Sequence, residues 1–482
     1  MKDTLRPDLL LAGGGMLLVW IVFKVFYPYA DYFVDSFSYI EAAAARDAIG
    51  YRPIGYSLFL RLVHIVSNSD TFLVTVQYGL VQSASLMLFV TLRHLCRPAL
   101  WVQRLLLVFL ALNPVIPYTC NYVSSDALFI ALSLIWLNLL IGLILRPSWG
   151  KLSWQLLLLI LIFNTRYVAM YYPAVAAIAF FLMRKDLLFK VAGIAASVVI
   201  VFIGTSVVKA ITRHETGAAI FSAFSGWQIA NNALHIYPYL PVDTTDLPSA
   251  ESQKLATYVK TWFDEAGPKL KERKTATTDY MWVQGLPLHE YMADYQKKDT
   301  LNYFTAWNRV GVVFTEYGYF LVRKHPVAFG RYYIWQSAKT FFYPPLDVYA
   351  IYNEGRMTVD PVAQHWFNYQ STRVTVTSAT FQGRLFKLFP LLYLLLNVAF
   401  LFVALLFLPV RGLRERHPEF TLCFRLTAAY LLANAAFCIF ASPTVFRYQV
   451  LPVILLFVFA VYGLHFVTCY DGDESITPKR RS

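Results

Sequence analysis

The sequence is short of charge. Of its 482 residues, 15% are Asp, Glu, Lys or Arg, against roughly 25% in ordinary soluble domains. It is also short of cysteine, with five in the whole chain, which excludes a disulfide-dense scaffold. Only Cys120 falls near the expected outer face, so no outer disulfide is expected. No Asn-x-Ser/Thr sequon, internal repeat or low-complexity tract occurs. There is no Gly-rich phosphate loop and no G-x-S-x-G elbow, so nothing points to ATP-driven or serine-hydrolase chemistry. His214, His235, His289, His325 and His365 are scattered without metal-ligand spacing such as H-E-x-x-H. What the chain does have is apolar length: 57% of residues are hydrophobic, 17% are aromatic and the mean hydropathy is +0.49. It reads as a polytopic membrane protein.

A hydrocarbon core takes about 20 apolar residues per helix. Such runs cover residues 9–27, 71–91, 101–118, 126–145, 187–208, 385–408, 421–439 and 449–467. The first ends in Tyr27-Pro28-Tyr29-Ala30, with no small-x-small cleavage site, and reads as an uncleaved anchor. Residues 152–183 are interrupted by Asn164-Thr165-Arg166 and then by Tyr171-Tyr172-Pro173. Two short helices forming a hairpin fit this pattern, because polar backbone at membrane depth survives only beside protein or a cavity. The expectation is an all-α polytopic fold of about ten transmembrane helices.

The formal charge of +13 is distributed by side. Lys2 and Arg6, then Arg93, Arg97 and Arg104, Arg146 and Lys151, Arg184, Lys185 and Lys190, Arg411, Arg414 and Arg416, and Lys479, Arg480 and Arg481 sit between or beside the spans. Residues 211–382 hold 16 basic and 15 acidic residues, leaving +12 for the rest. The positive-inside rule places the basic clusters and both termini in the cytoplasm and the balanced segment outside. This predicts a multi-pass protein of the inner cell membrane with its active site on the periplasmic or extracellular face. The expected organisation is a transmembrane catalytic module over 1–210 with a first outer loop at 28–70. A large mixed outer domain over 211–384, C-terminal helices over 385–470 and a cytoplasmic tail over 471–482 complete it. Residues 329–342 are aromatic and amphipathic, which suits a helix lying on the membrane surface. No basic stripe with interleaved aromatics suggests nucleic acid.

Charges within or beside spans are costly and mark candidate sites. Asp35 lies in the first outer loop, just ahead of an Ala-rich helix, where helix capping is the plain alternative to a role as a base. Asp126, in Ser124-Ser125-Asp126, opens a span; the plain alternative to a base here is Ser124 or Ser125 as the cap with Asp126 in the first turn facing the helix dipole. Both stand at the outer interface, where the two could form a base pair or bind a cation such as Mg or Mn. Arg52 (in Tyr51-Arg52-Pro53-Ile54-Gly55-Tyr56), Arg166 and Arg447-Tyr448 stand at the same level, against the positive-inside trend. Snorkelling accounts for a lone arginine of this kind. Several converging guanidiniums suit a phosphate or pyrophosphate.

The order of these elements resembles the GT-C class of integral-membrane glycosyltransferases, especially the branch of protein O-mannosyltransferases and the lipid A aminoarabinose transferase. The motifs that carry it are Asp35-x-x-x-Tyr39 before an Ala-rich helix, Arg52-Pro53-x-x-Tyr56 leading into an apolar run, Ser125-Asp126-Ala127-Leu128, Arg166 in the hairpin and Arg447-Tyr448 before the last span. The first seven spans are covered, and the outer domain only by position and size. The chain departs from the pattern at Ser36, where the family often has a second acidic residue, and at Arg52-Pro53, where it often has Lys before two prolines. The resemblance implies a polyprenyl-phosphate-linked sugar donor, an acceptor at the outer face, and inverting displacement with or without a metal. Asp35 and Asp126 would be catalytic, and any metal would lie on them. Arg52, Arg166 and Arg447 would hold the donor phosphate, with Tyr39, Tyr56 and Tyr448 positioning substrate. An oligosaccharide ligase of the O-antigen type, using a pyrophosphate carrier, and a lipid-linked-sugar flippase are the rival expectations. Trp227, Trp262, Trp282, Trp307, Trp335 and Trp366 are available to stack on sugars or to anchor at the interface.

Overall fold

The computed structural model describes residues 5–244, 246–266 and 275–470. Lys2, Lys479, Arg480, Arg481 and the expected tail over 471–482 lie outside them. The described residues are mostly helical and form no strand, with only two isolated bridges, Asp31 to Tyr122 and Thr358 to Arg373. The protein is an all-α polytopic membrane protein. Among the described residues, eight helices are long and apolar enough to cross a bilayer.

The first half runs α1 (Leu5–Phe26), α2 (Val34–Ala45), α3 (Gly55–Val66), α4 (Asp70–Cys96), α5 (Leu100–Leu112), α6 (Val115–Asn121) and α7 (Ser125–Leu145). Asn113-Pro114 interrupts α5 and α6, where proline removes a helical donor; together they form one apolar rod over Leu100–Asn121. Helix α7 is capped by Ser124 and is packed on nearly every face, with Trp136 fully buried against Tyr172. The expected hairpin is α8 (Trp149–Thr165), a 3-10 turn at Tyr167–Tyr171 and α9 (Tyr172–Leu182), flanked by α10 (Leu187–Thr216). Arg166 breaks it in an extended conformation, φ −151° and ψ 127°. Its halves, 17 residues in α8 and 16 over Tyr167–Leu182, fall short of the 20 or so that a straight crossing takes. The eight long helices therefore do not include them.

The long segment over 211–384 is built in two parts. The first has its own core and comprises α11 (Ser225–Leu234), α12 (Ala250–Ala266), α13 (Asp279–Trp282), α14 (Pro287–Asp299) and α15 (Tyr303–Lys324). Trp227 and Trp307 stack at 3.8 Å in that core, and their indole N–H groups donate to the Trp307 and Ala223 carbonyls. These two tryptophans serve packing and are not exposed for sugar or interface contacts. Trp366 stacks on His64, whereas Trp282 and Trp335 stand exposed. Residues 329–342 are helical, as expected, although a π-helical turn at Gly330–Ile334 separates α16 (Pro326–Phe329) from α17 (Trp335–Phe342).

The second part, with α18 (Pro361–Trp366), packs instead onto the transmembrane core and the loop over 28–70. Tyr352 donates to the Ala30 carbonyl, and the Asn353 N–H donates to Asp31. The chain closes with α19 (Phe381–Phe386), α20 (Phe389–Phe407), α21 (Arg411–Arg416), α22 (Pro418–Ala441) and α23 (Val450–Thr468).

Candidate active site

Six separate elements bring charge to one place. Asp35 is in the first turn of α2, but it does not cap that helix; the cap residue is Phe33, whose N–H donates to Ser36 Oγ. The Asp35 carboxylate reaches sideways to two cations. Arg52 Nη2 donates to Oδ1 at 2.5 Å and Arg447 Nη1 donates to Oδ2 at 3.2 Å. Asp126 stands in the first turn of α7 behind its cap Ser124, which also donates to Asp126 Oδ2 at 3.0 Å. Arg166 Nη1, from the break after α8, donates to Asp126 Oδ1. Arg447, in the 3-10 turn Phe446–Gln449 ahead of α23, lies 4.0 Å from Asp126 Oδ2 and so links the two carboxylates. The result is an alternating row, Arg52–Asp35–Arg447–Asp126–Arg166.

A sixth charge completes the cluster. Asp347 Oδ2 lies 3.4 Å from Arg447 Nε, an ion pair without hydrogen-bond alignment, so Arg447 Nε is a buried donor lacking an acceptor. Asp347 has φ +55°, a left-handed conformation costly for a residue with a Cβ. Its segment is pinned on both sides. Phe446 N–H donates to the Pro345 carbonyl, Tyr122 OH donates to the Val348 carbonyl, and Tyr349 OH shares a hydrogen bond with Thr119. Sequence reasoning missed Asp347; the only local signal was Tyr343-Pro344-Pro345 ahead of it.

Aromatic faces hold the guanidiniums in place. Arg52 lies over Phe224 and Tyr39, Arg166 over Tyr448 and Phe129, and Arg447 over Phe33 and Tyr448, at 4.6 to 5.8 Å. Such contacts favour planar cations and fix their orientation. Arg447 Nη2 also donates to Tyr448 OH. The other two tyrosines stand further back. Tyr39 OH donates to Ser125 Oγ, and Tyr56 is fully buried with its hydroxyl donating to Gln77 Oε1. Of the three, only Tyr448 presents a hydroxyl among the charges, and Tyr56 supports Tyr39 edge-on from behind.

Three carboxylates and three guanidiniums leave the cluster neutral. The most exposed members are Asp347, at 36% of its side chain, and Asp35 and Arg166, at 22%. Burial pushes the Asp35 carboxyl up, but Arg52 and Arg447 outweigh it and hold the group below the usual carboxylate range. The donor set does not fit a divalent cation, since both oxygens of Asp35 and both of Asp126 already face guanidinium or hydroxyl donors and the cations lie between the carboxylates. Among the described residues no group of three or more His, Cys, Asp or Glu is arranged around a metal position.

No family model, curated protein or solved structure matches this chain.

Proposed function

We propose that the protein transfers a sugar from a polyprenyl-phosphate donor to an acceptor at the outer face of the membrane. The observation that carries this reading is the interlocked cluster of Asp35, Asp126 and Asp347 with Arg52, Arg166 and Arg447 at one end of the spans. Guanidiniums are the groups best suited to bind phosphate bidentately. Arg447 retains an unaligned, buried Nε donor for that purpose. A donor reaching this face must carry its own activated sugar on a lipid, and its prenyl tail would lie along the spans.

With no ligand bound, Asp35 is a weak base because two arginines stabilise its anion. An arriving phosphodiester competes for Arg52 and Arg447, and as they turn toward it the Asp35 carboxyl rises into the range useful for proton transfer. The acceptor hydroxyl then gives its proton to Asp35 while its oxygen attacks the anomeric carbon. The bond from that carbon to the phosphate oxygen breaks, with its electron pair passing to the phosphate. The leaving group gains one negative charge as Asp35 loses one, so the net charge of the site stays constant. Arg166 and Arg447 stabilise the developing phosphate charge, and a single displacement inverts the anomeric centre.

The reading is tested in membranes supplied with labelled polyprenyl-phosphate sugars. Label moving to an outer-face acceptor is the expected result. Consumption of pyrophosphate-linked glycans alone would contradict it and favour an oligosaccharide ligase.

A further inference from the structure

At the opposite end of the bundle, about 30 Å from Asp126 along the 21 residues of α7, lies a cavity. It has a volume of about 690 Å³ and opens between the ends of α7 and α9, helix α21 and the start of α22. Its floor is apolar, with Leu145, Phe181 and Leu422, and its rim carries four arginines, Arg184, Arg411, Arg414 and Arg425, against two carboxylates, Glu415 and Glu419.

The positive-inside trend accounts for arginines near this end, but not for their state. Arg411 pairs with Glu415 at 2.7 Å. Among the described residues no carboxylate lies within ion-pair distance of Arg184, Arg414 or Arg425, and Arg414 Nε is buried without an acceptor. Arg425 is more telling. It stands seven residues into the span Pro418–Ala441 and is exposed, roughly 10 Å above the helix start. A charge at that depth is expensive in lipid unless it meets a counter-ion. Side chains lean toward the N-terminus of their helix, which directs the Arg425 guanidinium down toward the rim.

We propose that this cavity binds the phosphate of an anionic phospholipid from the adjoining leaflet, with Arg184, Arg414 and Arg425 around the headgroup and the acyl chains along the apolar floor. Basic pockets between transmembrane helices suit such headgroups. The site is separate from the Asp35 cluster and does not depend on the sugar-transfer reading.

The test uses the purified full-length protein in detergent, with native mass spectrometry for bound lipid and thermal unfolding as the second readout. The probes are dioleoylphosphatidylglycerol, dioleoylphosphatidylcholine and inorganic phosphate. Wild type should retain phosphatidylglycerol in preference to phosphatidylcholine and be stabilised by it. The double variant Arg414→Gln/Arg425→Gln should bind it about tenfold more weakly or worse. Arg104→Gln/Lys190→Gln, which removes the same charge at the same end outside the cavity, should bind like wild type. If the double variant folds poorly, Arg425→Gln alone should show a smaller loss of the same kind. Equal retention by the cavity variants, or an equal loss in the control pair, would overturn the proposal. Protection by inorganic phosphate with no further gain from lipid would assign the site to a free anion and overturn the lipid assignment.

Discussion

At the scale of single residues, the cluster depends on Arg447. Its guanidinium touches Asp35, approaches Asp126 and pairs with Asp347 while lying over two aromatic rings. Lysine keeps the charge but has neither the planar fork nor several fixed directions for donation. Arg447→Lys is therefore expected to raise the donor KM about tenfold or more, measured by initial rates of transfer. Asp31 offers a separate prediction. It is fully buried, accepts from the backbone N–H groups of Tyr32 and Asn353, and burial pushes its carboxyl up to about 8. A folded pKa above the unfolded value of roughly 3.9 means that the protonated form is favoured by folding. Its contribution is complete below pH 4 and is lost as pH rises through 8. Asp31→Asn, which imitates the neutral acid, should flatten the thermal stability of the protein between pH 4 and 8 relative to wild type; an unchanged slope would contradict this. Asp35 works in the other direction. Its pairing stabilises the fold above about pH 4 and is lost only on further acidification.

At the scale of elements, the sequence made visible what depends on local pattern. The apolar runs, the break at Arg166 and the charged residues flanking the spans all follow from composition over a few turns. Asp35 was open to a capping explanation, and Asp126 to a first-turn place behind a Ser124 or Ser125 cap. The structure overturns the first, because Phe33 holds the cap position of α2, and bears out the second, because Ser124 caps α7 with Asp126 in its first turn; both carboxylates also turn to arginines. Asp347 was not legible, since its place depends on partners distant in sequence: Phe446 for Pro345, and Thr119, 230 residues away, for Tyr349. The two-part build of the segment over 211–384 was hidden for the same reason; nothing local marks that residues after Pro345 pack on the spans and not on the core around Trp227 and Trp307. Within that core, α11 and α15 touch through glycines. A Cβ at Gly226 would run into the Gly311 carbonyl, and one at Gly318 would meet the Ile229 backbone at 2.7 Å. Gly226→Ala should destabilise the outer part by about 1–3 kcal/mol, as overpacking does. Hydrogen exchange should show that loss in α11 and α15 with the spans unaffected.

At the scale of the whole molecule, the two ends of the bundle differ in kind. One gathers paired charges of both signs, and the other carries arginines and lysines on the turns between spans. This polarity gives a sidedness prediction. In a cysteine-free background, an impermeant maleimide added to intact cells should label Ser371→Cys, whereas Lys185→Cys should react only after permeabilisation. The reverse pattern would place the Asp35 cluster on the cytoplasmic side and remove the need for a lipid-borne donor.

The most direct measurement compares wild type with Asp35→Asn in the transfer of label from a polyprenyl-phosphate sugar, with donor binding followed in parallel. The account predicts a drop in transfer of about 100-fold or more while the donor still binds, because Arg52, Arg166 and Arg447 remain and the first two are released from or unaffected by the lost carboxylate. Transfer at the wild-type rate in Asp35→Asn would contradict the assignment of the base and, with it, the mechanism built on this cluster.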